Sequence, residues 1–275
     1  MADMTPGVAS ALSPLVRRIV APNPSMMTGP GTNTYLVGVD EVAVIDPGPD
    51  DVGHVEAIIG ASMRERVRWV VLTHTHPDHA PGAARLAAET GAKIVAFKKD
   101  DVVTPDVILK DGGIIEGSEW GLEAIHTPGH ASNHLCFFLE EERILFTGDH
   151  IMQGSTVVIA PPDGNMRDYL ESLERLKKRR ISKIYPGHGD VIEEPKVVIE
   201  EYLKHRLARE RQILTLLGKG PAKVPELVEK IYAEVPEALH PVAAFSVLAH
   251  LIKLKGDRKV SGRDMRSTWK RAADA

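Results

Sequence analysis

The stretch Val71-Leu72-Thr73-His74-Thr75-His76-Pro77-Asp78-His79 decides the reading of this chain, because it sets four metal-capable side chains within six positions. Alternate residues of an extended strand point the same way, so His74 and His76 can aim two imidazoles at one ion. Pro77 biases His76 toward extended geometry and opens a turn. Beyond that turn Asp78 and His79 are re-aimed, and the spacing implies a second ion close to the first. Imidazole with carboxylate suits zinc better than calcium or magnesium, with manganese or iron as substitutes where cellular supply favours them. The competing reading is a histidine-rich loop that binds nothing.

Three further islands at the ends of apolar runs weigh against that alternative: His126-Thr127-Pro128-Gly129-His130, Phe146-Thr147-Gly148-Asp149-His150 and Tyr185-Pro186-Gly187-His188-Gly189. Each puts a ligand type where a strand meets a Gly or Pro turn, and glycine lets backbone approach an ion closely. With these four motifs in this order and spacing, residues 15–190 resemble the metallo-β-lactamase superfamily. The resemblance implies two Zn2+ ions, with His74, His76 and His130 holding the first, Asp78, His79 and His188 the second, and Asp149 bridging both. It implies a hydrolase in which a water between the ions, its pKa lowered from about 15.7 to about 7, attacks a carbonyl or phosphorus as a bridging hydroxide. Asp78 would be the catalytic carboxylate that orients it and passes a proton toward the leaving group.

Asp46, ending the apolar run Val44-Ile45-Asp46, fits the acid that in this family orients a ligand histidine by hydrogen bonding; a turn carboxylate capping its own backbone is the alternative. His126 and His150 fall off the ligand positions and read as structural. Ser132, Asn133 and His134 follow the third ligand, where orienting a ligand or lining the pocket is one reading; His134 reads rather as a core histidine. The single cysteine, Cys136, sits in an apolar run, so the chain has no intrachain disulfide.

At 275 residues, 43% hydrophobic and 26% charged, the chain can bury one large core and a smaller satellite. No apolar run reads as a membrane span of about 20 residues, and residues 1–20 lack a secretory-signal pattern, so a cytoplasmic location is expected. A net charge of −4 gives no global attraction to nucleic acid. Cations nevertheless concentrate at Lys177-Lys178-Arg179-Arg180 and from Lys253 to Arg271, the latter read as a basic tail.

Periodicity predicts strands at 35–38, 42–45, 68–72, 93–97, most of 113–146 and 182–185, and helices at 52–63, 80–89 and 166–178. This is an α+β pattern, and the resemblance implies the αββα sandwich with the metals at one edge, over residues 1–192. Residues 193–275 read as a helical domain with helices at 195–217, from Pro225, and at 242–254, then a turn into a short strand, similar to a winged helix. Phe245, Leu248, Leu251 and Ile252 are expected to face inward.

The combination most resembles the group of β-lactamase-like protein 2. The likeness rests on residues 31–38, on Tyr202, His205-Arg206 and Arg209-Glu210, and on the helical end, with no counterpart for the tail after Ser261. The group implies a two-zinc hydrolase, with single-stranded RNA endonuclease as the leading specific expectation and thioester or other small ester or lactam hydrolysis as the alternative. Tyr202, Arg206 and Arg209 share one helix face and could clamp a phosphate and stack a base; a solvated or salt-bridged face is the other reading. Asn33 is a candidate substrate contact at the cleft mouth, or else part of a turn. A nucleic-acid-binding module carrying a metal domain is the hypothesis from another class, opposed by Glu226, Glu229, Glu234 and Glu237. The small domain is expected to narrow substrate entry, with homodimerisation as a further use.

Overall fold

The computed structural model describes residues 4–272, so the outermost positions of both sequence-drawn domains, 1–3 and 273–275, lie outside the described residues. The chain forms two compact units. The first comprises the residues up to Thr127 with Asn133–Thr156 and Arg180–Pro195, and the second Pro128–Ser132, Val157–Arg179 and everything from Lys196 on.

In the first unit, β-branched runs pair into a seven-stranded sheet in sequence order: β1 (Ser10–Ala11), β2 (Val16–Val20), β3 (Asn33–Val37), β4 (Glu41–Ile45), β5 (Arg66–Val71), β6 (Lys93–Ala96) and β7 (Val107–Ile108). The first four strands are antiparallel, and β4 to β7 run parallel. Parallel neighbours need crossovers, which α1 (Val52–Ala61) and α2 (Gly82–Thr90) supply. Asp51 caps α1 by accepting from His54 N at 2.7 Å. Gly91, at φ 74°, stops α2 close to the helix end the sequence predicts at 89.

A second sheet holds β8 (Ile114–Glu116), β9 (Gly121–His126), β10 (Leu135–Leu139), β11 (Ile144–Gly148) and β12 (Lys183–Pro186), in the order 12-11-10-9-8. Only its β11–β12 pair is parallel. Tyr35, Val37, Ile45 and Val71 from the first sheet meet Leu122, Phe137, Leu139, Phe146 and Tyr185 from the second in one buried cluster. On the other face of the first sheet, Leu36, Val42, Val44 and Val70 pack against Val55 and Ile58 of α1 and Ala83 and Leu86 of α2. A sheet covered on both faces explains why β3 is buried at every position.

The second unit contains α3 (Met166–Lys177), α4 (Pro195–Leu217) from its second residue on, α5 (Val224–Ile231) and α6 (His240–Gly256). It also contains a three-stranded sheet of β13 (Ala222–Lys223), β15 (Thr268–Arg271) and β14 (Val260–Ser261). Leu227, Val228, Val247, Leu251, Leu254, Val260 and Trp269 close its core, giving a winged helix. The run from Lys253 to Arg271, expected as a basic tail, instead ends α6 and forms the wing: β15 pairs with both β13 and β14, burying Trp269 while Lys270 and Arg271 stay exposed. Strand alternation, hidden by the surrounding cations, accounts for the difference.

Two further expectations change. Phe245 and Ile252 are 41% and 44% exposed, because α6 turns Val247, Leu251 and Leu254 inward instead. Residues Glu237–Gly256 form a 20-residue helical stretch of mean hydropathy 1.2, long and apolar enough to cross a membrane, which the sequence reading passed over. Within this unit the stretch supplies core residues.

Candidate metal centre

The ligand-type residues collect where parallel strands end. β4 and β5 lie side by side, and Asp46 N donates to Val71 O at 2.9 Å just past the last paired residues. The two strands therefore release Asp46 and the His74 to His79 segment at the same edge. In the other sheet β11 and β12 are parallel neighbours with an irregularity between Phe146 and Gly148, and they release Asp149 and His188. Gly187 permits the approach: a Cβ there would stand 2.9 Å from both Asp149 Oδ1 and His79 Cε1.

Hydrogen bonds fix which nitrogen each ring presents. The Asp46 carboxylate accepts from Thr73 N at 2.8 Å, from Thr73 Oγ1 at 2.6 Å and from His79 Nδ1 at 2.9 Å. Having given its proton to Asp46, the Thr73 hydroxyl accepts from His74 Nδ1 at 3.0 Å. His188 Nδ1 donates to Gly31 O at 3.2 Å. His74, His79 and His188 are thereby held with Nε2 as the lone-pair nitrogen. Asp46 thus occupies the orienting position the sequence suggested for it, and Thr73, which the sequence reading missed, is its partner.

Two groups of donors result. His74, His76 and Asp149 offer ligand atoms within 4.8 Å of one another, as do Asp78, His79, Asp149 and His188. Shared Asp149 makes this a dinuclear metal-binding site. His74 Nε2 and His76 Nδ1 are 3.0 Å apart.

In the second group, His79 Nε2 lies 3.3 Å from His188 Nε2, 3.3 Å from Asp149 Oδ1 and 3.6 Å from Asp78 Oδ2. His188 Nε2 lies 3.3 Å from Asp149 Oδ1 and 3.2 Å from Asp78 Oδ2. A tetrahedron with metal–ligand bonds of about 2.0–2.1 Å has edges of about 3.3–3.4 Å. The five separations fall near those edges, and lone pairs converging at such distances repel unless a metal cation or a proton lies between them. The residues present fit a transition metal.

The electrostatics agree. Burial opposes a charge on His79, yet the Asp149 and Asp46 carboxylates beside it hold its pKa well above the ordinary value. Burial pushes Asp78 up, but its hydrogen bond to His188 and the nearby His79 bring it below the usual carboxylate range. Asp46, Asp78 and Asp149 make the pocket one that attracts positive charge.

The other expected site residues are placed as follows. His130 belongs to the second unit, in the connection from β9 to β10, where its Nδ1 donates to Val158 O at 2.7 Å. Asn33 is fully buried and does not line a cleft mouth: its Nδ2 donates to Pro186 O and Gly189 O at 2.9 and 2.8 Å, pinning the turn that carries His188. Arg206 is 1% exposed, stacked on Tyr169 and donating to Val157 O at 2.5 Å. Arg209 stacks on Tyr232 and donates to Gln212 Oε1 and Ile231 O. With Tyr202 also buried, this face of α4 is spent on packing within the second unit. His134 is buried with Nδ1 against Thr127 Oγ1 at 2.9 Å, and His150 and Cys136 are buried too.

Comparison with known proteins places these observations. The family model described as the metallo-beta-lactamase superfamily matches residues 27–188, and one described as the beta-lactamase associated winged helix domain matches residues 224–269. The chain is similar to a beta-lactamase-like protein 2 homolog of Drosophila melanogaster, at 34% identity over 94% of this chain and 93% of that one. It is equally similar to an atrochrysone carboxyl ACP thioesterase of Aspergillus chevalieri, at 34% identity over 91% of this chain and 84% of that one. Among solved structures, a metallo-beta-lactamase family protein from Thermus thermophilus superposes with a TM-score of 0.79 at 25% identity, covering 95% of this chain and 100% of that one.

Proposed function

Because the chain belongs to the metallo-β-lactamase superfamily, we propose that it is a zinc-dependent hydrolase of carbonyl substrates, with acyl thioesters as the preferred class. The observation that carries the hydrolase reading is the set of five donor separations between 3.2 and 3.6 Å around Asp78, His79, Asp149 and His188. In this reading His74, His76 and Asp149 hold one ion and Asp78, His79, His188 and Asp149 the other. Bound zinc would supply Lewis acidity and lower the pKa of water from about 15.7 to about 7.

The chain's own residues do the rest. Asp46 keeps His79 in the tautomer that presents Nε2, and Gly31 O does the same for His188. Asp78 has a side chain 29% exposed, against 11% for Asp149, 5% for His188 and none for His79. Of these four donors it reaches furthest toward solvent, which suits it to accept a proton from the attacking water and return it to the leaving thiolate.

Support for the thioester comes from the Aspergillus relative named as an acyl-carrier thioesterase. Single-stranded RNA is the second reading, favoured by the exposed Lys270 and Arg271 on the wing. It loses the guanidinium clamp, since Arg206 and Arg209 are engaged elsewhere. The test is turnover by the zinc-loaded full chain of an acyl thioester, a short single-stranded RNA and a chromogenic lactam. Thioester hydrolysis that disappears with Asp78→Ala supports the proposal, and cleavage of RNA alone replaces it with the second reading. No turnover of any of the three overturns both.

A further inference from the structure

The first cluster has a support that no ligand motif announces. Strand β5 ends at Val71, and Leu72 still donates to Val95 O at 3.0 Å. From there the chain runs through His74, Thr75 and His76. The Thr75 hydroxyl donates to Asp100 Oδ2 at 2.6 Å. Asn133 Nδ2 donates to Thr75 Oγ1 at 2.8 Å and, more weakly, to Asp100 Oδ2 at 3.4 Å. The other oxygen, Asp100 Oδ1, accepts from Val102 N and Val103 N, both at 2.9 Å, which anchors the carboxylate in its own loop. Burial raises the Asp100 pKa, but the Thr75 hydroxyl and these backbone donors bring it below the usual range, so the acceptor stays charged and strong.

We propose that Asp100, acting through Thr75 and Asn133, is a positioning residue that fixes the His74–His76 segment for the first ion. Asp46 cannot do this alone. It holds Thr73, and through it His74, and it holds His79, but its hydrogen bonds reach neither Thr75 nor His76. His74 Nε2 and His76 Nδ1 stand 3.0 Å apart, so a small slide of the segment changes the bite of both rings. In the second group the rings of His79 and His188 are held through Asp46 and Gly31, not through Thr75. Loss of the brace therefore weakens one ion and spares the other.

This inference rests on the metal reading given above, and the experiment separates the two. Thr75→Val exchanges a hydroxyl for a methyl of the same shape, Asp100→Asn exchanges an acceptor oxygen for a donor, and Thr75→Ser keeps the hydroxyl. Each full-length variant is loaded with Co2+, titrated with a competing chelator, and followed by its visible absorption and its bound-metal count. Unfolding of the metal-free protein serves as the fold control. Thr75→Val and Asp100→Asn are expected to lower the affinity for one ion by about 10–100-fold, with a changed cobalt spectrum and the other ion retained. Thr75→Ser is expected to match the parent. Should Asp100→Asn fail to fold, the Thr75 pair carries the test alone. Both ions retained at parental affinity in Thr75→Val, or both lost in parallel, overturns the brace while leaving the metal reading intact. Failure of the parent chain to bind cobalt at all overturns both.

Discussion

Replacing Asp46 by Asn tests the centre through a residue that is not itself a ligand. Its carboxylate is 2% exposed and accepts three hydrogen bonds, from Thr73 N, Thr73 Oγ1 and His79 Nδ1. An amide keeps only one acceptor oxygen. Turned so that this oxygen still serves Thr73 N, it points its NH2 at the Thr73 hydroxyl and His79 Nδ1. The hydroxyl can rotate, but His79 must give up its Nδ1 proton and carry it on Nε2, the nitrogen that faces His188 and Asp149. Turned the other way, the NH2 confronts Thr73 N–H, leaving a buried donor unsatisfied at about 1–3 kcal/mol. The backbone is not a confounder, because Asp46 sits at φ 50°, a conformation that Asn adopts as readily as Asp. We expect a 10–100-fold loss of affinity at the second ion, about 1.4–2.7 kcal/mol at about 1.4 kcal/mol per decade. Chelator competition on the purified variant measures it, with unfolding of the metal-free chain as the control. Parental affinity for both ions in Asp46→Asn would refute the tautomer argument.

Two further outcomes follow from the packing. In Gly187→Ala, the new methyl would meet Asp149 Oδ1 and His79 Cε1 at 2.9 Å, so the variant should purify with less than its full complement of metal by elemental assay; a full complement would show that the turn yields freely. His54 is 1% exposed, with Nε2 on Thr34 Oγ1 at 2.8 Å, and burial lowers its pKa to about 4. Its folded value lies below the unfolded value of about 6.5, so stability is complete above about pH 6.5 and is lost as pH falls toward 4. At about 1.36 kcal/mol per pH unit the loss reaches about 3 kcal/mol. Urea unfolding of the metal-free chain between pH 7 and 4 should show a slope that His54→Gln reduces, and an unchanged slope would remove His54 from the acid response.

Much of this cluster was legible because residues of ligand type leave local marks. His74, His76, Asp78 and His79 stand at a strand end with a proline between them, and Asp149 and His188 adjoin glycines that make room for close approach. Asp46 ended an apolar run in the same manner. Asp100 left no such mark: within Lys98-Lys99-Asp100-Asp101 it reads as a solvated charge, and only the fold brings it to Thr75. The i, i+4, i+7 spacing on α4 correctly put Tyr202, Arg206 and Arg209 on one face, but periodicity is silent on what that face meets, which is Val157, Tyr169 and Tyr232. Trp269 among lysines and arginines hid the last wing strand. β2 was missed for a related reason, since Val16-Arg17-Arg18-Ile19-Val20 looks half polar although the Arg18 side chain is wholly buried against Asp190 at 3.1 Å.

Anomalous X-ray scattering at the zinc edge, from crystals of the full chain grown with zinc, bears most directly on the central claim. The account expects two peaks sharing Asp149, one of them inside the group formed by Asp78, His79, Asp149 and His188 at about 2.0–2.2 Å from its nitrogen and oxygen donors. An absence of anomalous density between these residues, with zinc present in the crystal, would contradict it.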